Sequence, residues 1–195
     1  MTGIPLVVLD ACVLANFSLC DTLLRLAEPP RLFEPKWSEE IIRETTRTLE
    51  AKLGWPHSLT AHLEQELGAH FSEAWISGYE SLIPRMTNDE KDRHVAAAAI
   101  HVDAAIILTL NLRHFMPEHL AMWGIRALHP QSFLIEIFRQ EQDVVMTKLE
   151  QQAADRGRSL RQLPGHSERH GARLCCNRFR RNLRVMRADS LQGGG

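Results

Sequence analysis

The chain has 195 residues, 44% of them hydrophobic and 24% charged. That is enough for one domain with a full core, and it excludes wholesale disorder, a collagen-like chain or a disulfide-stapled miniprotein. The formal net charge of −1 hides a split: residues 155–195 hold ten Arg against Asp155, Glu168 and Asp189, a net of +7, which leaves −8 on residues 1–154. The N-terminal Met1-Thr2-Gly3-Ile4-Pro5 lacks a secretory signature. No apolar run nears the ~18 residues of a membrane span, so a soluble, cytoplasmic protein without a membrane partner is expected. Cys12, Cys20, Cys175 and Cys176 show no zinc-like spacing and read as reduced thiols.

Residues 4–9 form a continuous Val- and Ile-rich run ending on Asp10, as expected of a strand buried on both faces. Residues 21–27 predict a short helix that stops before Pro29-Pro30, and residues 32–33 a brief second strand. Ser38 followed by Glu39 and Glu40 is an N-cap signal for a helix over 39–53, which Gly54-Trp55-Pro56 ends. Residues 58–68 and 69–79 predict two amphipathic helices, and 84–90 a polar connection. Asp92 opens a helix with four consecutive Ala, small enough to pack closely on a sheet. Residues 104–110 are the next buried strand, with Asn111 at its exit; 125–128 form a short strand, and 132–140 and 141–154 are helical. Short buried strands alternating with helices imply βαβ units and a parallel three-layer α/β sheet. From about Asp155 the pattern degrades into a weakly ordered, Arg-rich tail.

In open parallel sheets, ligands bind beyond the carboxyl ends of the strands. Asp10 and Asn111 stand at such exits, Asp92 at a helix start, and Glu40 and Glu44 four residues apart on one helix face. If Asp10, Glu44 and Asp92 converge, like charges ~4 Å apart repel by about 4 kcal/mol per pair at an effective dielectric of 20. A divalent cation or a proton must offset that. Mg²⁺ or Mn²⁺ suits an all-oxygen set and can neutralise a phosphodiester during attack by water. Thr109 can add a hydroxyl and Asn111 an uncharged amide. Taken singly, Asp92 is also explained as a helix N-cap, and Glu39, Glu40 and Glu44 as a solvated face.

The segments VVLDACVL, WSEEIIRETTRTL, NDEKDRHVAAAAI and ILTLNLRHF carry this ordered set. Together they resemble the PIN-domain endoribonucleases, especially the VapC-like toxins of type II toxin–antitoxin systems. The resemblance covers roughly residues 5–135. It implies a PIN-like α/β domain over 1–135, with a helical extension over 136–154 and the basic tail over 155–195. It further implies a Mg²⁺-dependent endoribonuclease in which Asp10, Glu44 and Asp92 are metal-binding acids and Thr109 and Asn111 stand at the fourth position. An RNA substrate, a cognate antitoxin and a homodimer come with that resemblance. Many such nucleases have an Asp where this chain has Asn111, and a polar residue where it has Cys12.

Arg93 and Arg113 flank the acids and can hold substrate phosphate. His94, His101, His114, His119 and His129 lack a metal motif and read as packing or solvated residues. The four Trp are spread through the chain rather than interleaved with basic residues, as core or interface side chains are. Two other functions compete. A catalytically impaired PIN-like RNA- or protein-binding module is motivated by Asn111. A phosphohydrolase with Asp10 as nucleophile is disfavoured, because that chemistry pairs the strand Asp with a second Asp two residues on, where this chain has Cys12.

Overall fold

The computed structural model describes residues 3–162, of which 156–162 are described as backbone alone. Of the Arg-rich tail expected over 155–195, residues up to Gln162 continue the last helix rather than starting a weakly ordered segment, and the rest, with Cys175 and Cys176, lies outside the described residues. A division into compact units falls between Glu150 and Gln151, and the first of them holds the sheet and the candidate site.

Five strands form one parallel sheet: β1 (Leu6–Leu9), β2 (Glu34–Ser38), β3 (Trp75–Ile76), β4 (Ile106–Leu108) and β5 (Arg126–Leu128), in the order β3-β2-β1-β4-β5. Val7 and Val8 pair with Ile106 and Ile107, and all four are buried. Apolar residues on both pleat faces demand cover on both sides, and helices supply it in a PIN-like three-layer α/β/α arrangement. The helices that matter for the site are α1 (Ala11–Leu14), α2 (Phe17–Ala27), α3 (Glu39–Leu53), α4 (His57–His70) and α5 (Arg93–His101). α6 (Pro117–Leu120), α7 (Pro130–Gln140) and α8 (Gln142–Gln162) complete the order.

The alanine run has the consequence expected of it. Ala96, Ala97, Ala98 and Ala99 are fully buried, and α5 packs on β1, β2 and β4, because side chains that end at Cβ let the helix backbone approach the strands. α3 matches its predicted span. Ser38 Oγ accepts from the Ile41 N–H at 3.3 Å, and Gly54 ends the helix at φ 68°, a left-handed conformation that a Cβ disfavours. Its buried face carries Ile41, Ile42, Thr45 and Leu49, which leaves Glu40 and Glu44 half-buried at the flank.

The chain runs β1, β2, β3 outward on one side, then returns to place β4 against the other side of β1. The strand order therefore reverses between β1 and β4, and the crevice beyond their carboxyl ends is the ligand position of an open α/β sheet. Asp10 follows β1 and Thr109 follows β4, so the topology alone brings residues 99 positions apart together.

Two segments differ from expectation. The second strand is Glu34–Ser38 rather than residues 32–33: its sequence EPKWS shows no apolar run, yet Pro35, Trp37 and Ser38 are buried while Glu34 and Lys36 keep partial exposure. Residues 69–79 are not a helix. α4 runs to His70, a 3₁₀ turn covers Ser72–Ala74, and Trp75–Ile76 pairs with Trp37–Ser38 as β3. The tertiary contact that overrides helical spacing is aromatic: Trp37 meets Phe71 and Trp75 edge-on, with ring centroids 5.9 and 6.3 Å apart.

Candidate active site

Asp10 is 3% exposed, a cost to an ionised carboxylate unless donors meet it. Two do, both at Oδ2: Thr109 Oγ1 donates at 2.6 Å and the Cys12 thiol at 3.0 Å. Thr109 is itself held, since its hydroxyl oxygen accepts the Asn111 N–H at 2.9 Å. Cys12 Sγ likewise accepts the Leu110 N–H at 3.2 Å. Burial, reinforced by the charge on Asp10, pushes the Cys12 thiol up to about 12, so it stays protonated and serves as a donor. Cys12 thus does the work of the polar residue expected at that position. Oδ1 of Asp10 accepts no hydrogen bond among the described residues.

Asn111 enters through its backbone. Its side chain is exposed and makes no hydrogen bond among the described residues. Thr109, by contrast, is fully buried and contacts Asp10 directly.

Asp92 precedes α5, but its side chain makes no capping hydrogen bond, so the N-cap explanation of this residue fails. Its Oδ2 instead lies 2.6 Å from Nδ1 of His114. Burial raises the Asp92 pKa, the charges on Asp10 and Asp89 push the same way, and the His114 hydrogen bond only partly opposes them. The charges of Asp10 and Asp89 therefore both work against ionisation of the partly buried Asp92.

Glu44 is reached through His94. This imidazole is 6% exposed, and its Nε2 lies 3.5 Å from Glu44 Oε2, a charge contact with neither ring nitrogen in a well-formed hydrogen bond among the described residues. Burial disfavours its cation, yet its pKa is raised, because Glu44, Glu40 and Asp92 all act on it. His94 consequently sits among three of the acids singled out from the sequence. The two arginines are anchored beside them: Arg93 Nε donates to the Asn88 carbonyl at 3.4 Å, and Arg113 Nε to His114 Nε2 at 3.0 Å.

Asp10, Glu44 and Asp92 do not themselves form a tight ligand set. Among the described residues, the three whose ligand atoms all lie within 4.8 Å of one another are Asp89, Asp92 and His114. The sequence does not single out Asp89, and His114 reads there as a packing or solvated residue. The available signal was position: Asp89 stands three residues before Asp92, and His114 three after Asn111, on the turn that leaves β4.

A parallel sheet of order β3-β2-β1-β4-β5 with a buried Asp and neighbouring acids at its switch point defines a PIN-like domain with an acidic site. The chain is similar to a protein of Mycobacterium tuberculosis (strain ATCC 25618 / H37Rv) named "Putative ribonuclease VapC50", 43% identical over 90 residues. Those residues are 46% of this chain and 52% of that protein, so the chain spans about half the length of the curated relative it matches. The resemblance to VapC-like PIN-domain toxins drawn from the sequence is thereby borne out. No family model matches the chain, and no solved structure does. Among the described residues no helix is long and apolar enough to cross a membrane.

Proposed function

We propose that the chain is a divalent-metal-dependent endoribonuclease of the VapC kind, acting on RNA phosphodiester bonds in the cytoplasm and neutralised by a cognate antitoxin. The observation that supports this best is Asp10, buried at the switch point and fixed at one oxygen by Thr109 and Cys12, with the charge of Asp92 acting beside it. The donor set fits a hard cation, since carboxylate oxygens dominate it and their mutual repulsion is relieved by positive charge. Asp10 and Asp92 would hold Mg²⁺ or Mn²⁺, with Glu44 orienting the ion or its water from beside His94, and the ion would supply charge neutralisation and activation of water.

The other residues prepare that site. Thr109 holds the Asp10 carboxylate in one orientation, and Asn111 holds Thr109 through its N–H. Arg93 and Arg113 each use Nε on a neighbour, which leaves the terminal guanidinium nitrogens to meet a phosphate. Glu40 contributes field rather than contact, through its action on His94.

The test is cleavage of RNA by purified protein with Mg²⁺ or Mn²⁺, with and without EDTA. Asp10→Asn and Asp92→Asn are each expected to lower the rate at least ~100-fold, the scale on which one charge-stabilising group acts. EDTA is expected to abolish cutting. RNA binding without cleavage, unchanged in both variants, would favour the impaired binding module instead.

A further inference from the structure

Two segments run on from the acids without a role in the function proposed above, residues 85–89 and 114–123. We propose that Arg85 and Trp123, where these segments end, form a subsite that stacks one unpaired base of a single-stranded RNA whose backbone passes Arg93 and Arg113. This rests on RNA being the substrate, as in that reading.

Three contacts join the segments in order. The Asp89 N–H donates to the His114 carbonyl at 3.5 Å, Thr87 Oγ1 lies 2.9 Å from His119 Nδ1, and Cζ of Arg85 lies 5.2 Å from the centre of the Trp123 ring. The first contact adjoins the acids, since His114 Nδ1 is 2.6 Å from Asp92 Oδ2. Residues 85 to 89 span at most ~14 Å, so Arg85 stands no more than about four stacked nucleotides, at ~3.4 Å each, from that end. Buried side chains pin both segments: Met86 and Asn88 on one, Phe115 and Leu120 on the other.

The chemistry at the far end suits a base. Trp37 is fully buried, as a core tryptophan is, whereas Trp123 keeps partial exposure and Arg85 is exposed. The Arg85 side chain makes no ion pair among the described residues, and its cation is held over the indole instead. Bases stack on aromatic rings and on guanidinium planes alike, and the cation attracts the phosphates to either side. Met122, next to the ring in sequence, is 78% exposed and offers an adaptable apolar contact. On the other side, a Cβ on Gly124 would meet nothing within 4 Å, so the space there is open. A duplex keeps its bases stacked inside and cannot offer one, which makes the ligand a single strand.

The test is binding by the full chain in an Asp10→Asn background with Mg²⁺, so that the strand stays whole. Three fluorescent probes of equal length are compared: a mixed-sequence single-stranded RNA, its duplex, and a fully abasic strand. Trp123→Ala is expected to weaken the single strand ~10-fold or more while changing the duplex and the abasic strand by less than ~3-fold, and Trp123→Phe to keep most of the affinity. Arg85→Gln is expected to lower the salt slope for the single strand by about 0.7, the share of one phosphate contact. Should Trp123→Ala fail to fold, tryptophan emission decides: it is quenched by the RNA and not by the abasic strand, and Trp123→Phe loses the quenching. Equal losses on all three probes, no loss on any, or no binding at all overturns the subsite, and cleavage by the wild type then leaves the nuclease reading standing. A base-dependent loss in a chain whose wild type cuts no RNA does the reverse.

Discussion

The two halves of the site are built differently. At the strand exits, Asp10 is almost fully buried, yet its Oδ2 is met by two side-chain donors, which are themselves held by backbone N–H groups. At the helix starts, Asp92 gains one contact from His114 and is pressed by the charges of Asp10 and Asp89, while Glu44 reaches His94 only at 3.5 Å. One carboxylate is preorganised and the other is under electrostatic strain. Sheet geometry explains the difference, because adjacent strands of fixed register can place donors to a fraction of an ångström, whereas helix and turn residues depend on how separate elements pack.

The contrast can be broken most severely at Asp10. Asp10→Asn keeps the size but removes the charge, and RNA cleavage is expected to fall at least ~100-fold in a discontinuous assay with Mg²⁺. Next comes its support. Thr109→Val deletes the hydroxyl that links Asn111 N–H to Asp10; Mn²⁺ affinity by calorimetry should drop ~10-fold or more, as for other residues that orient a ligand. A threonine requirement that vanishes in this assay would mean Asp10 needs no such orientation.

Asp92 should respond in the opposite sense in stability. Its folded pKa is raised, so the fold favours the protonated acid, an advantage present below the unfolded pKa and lost as pH rises through the folded one. At neutral pH the charge is a net cost. Asp92→Asn, whose amide oxygen can still accept from His114, is therefore expected to raise Tm, by about 2–4 °C for each kcal/mol relieved, and the gain should shrink as pH falls into the carboxylate range. Thermal unfolding without added metal at pH 7 and pH 4 checks this. The smallest effect is assigned to Asn111→Ala, which keeps the N–H that holds Thr109 and removes only an exposed amide; cleavage should stay within ~3-fold of wild type.

A stability contrast lies away from the site. Lys148 on α8 is buried and donates to the carbonyls of Arg25, Glu28 and Pro29 at 2.6, 2.8 and 3.3 Å, closing the carboxyl end of α2. Lys148→Met would leave those acceptors to be satisfied otherwise, at about 1–3 kcal/mol in denaturant unfolding, with no direct effect on metal binding.

Much of this was legible in the sequence where one physical rule dominated locally. The run ending at Asp10, the Ser38-to-Gly54 helix and the alanine-rich helix each carry burial, capping or small-residue signals within a few positions. β2 lies later than residues 32–33 because EPKWS owes its strand to the burial of Trp37, a tertiary fact. Residues 69–79 show helical spacing, but a short parallel pairing and the packing of Trp37 against Phe71 and Trp75 win. Within the site, Asp10, Asp92 and Thr109 stood out by their place at element ends. His114 did not, since its contact with Asp92 spans 22 residues and follows from the turn after β4, which no local motif announces.

The central claim is that Asp10 makes this chain a nuclease. The most direct measurement is inducible expression of the full chain in a bacterial cell with genome-wide mapping of RNA ends, wild type beside Asp10→Ala. Growth arrest with discrete new RNA ends in wild type, both absent from Asp10→Ala at equal protein level, is the expected result. Arrest that persists in the variant, or no new ends in either, would contradict it.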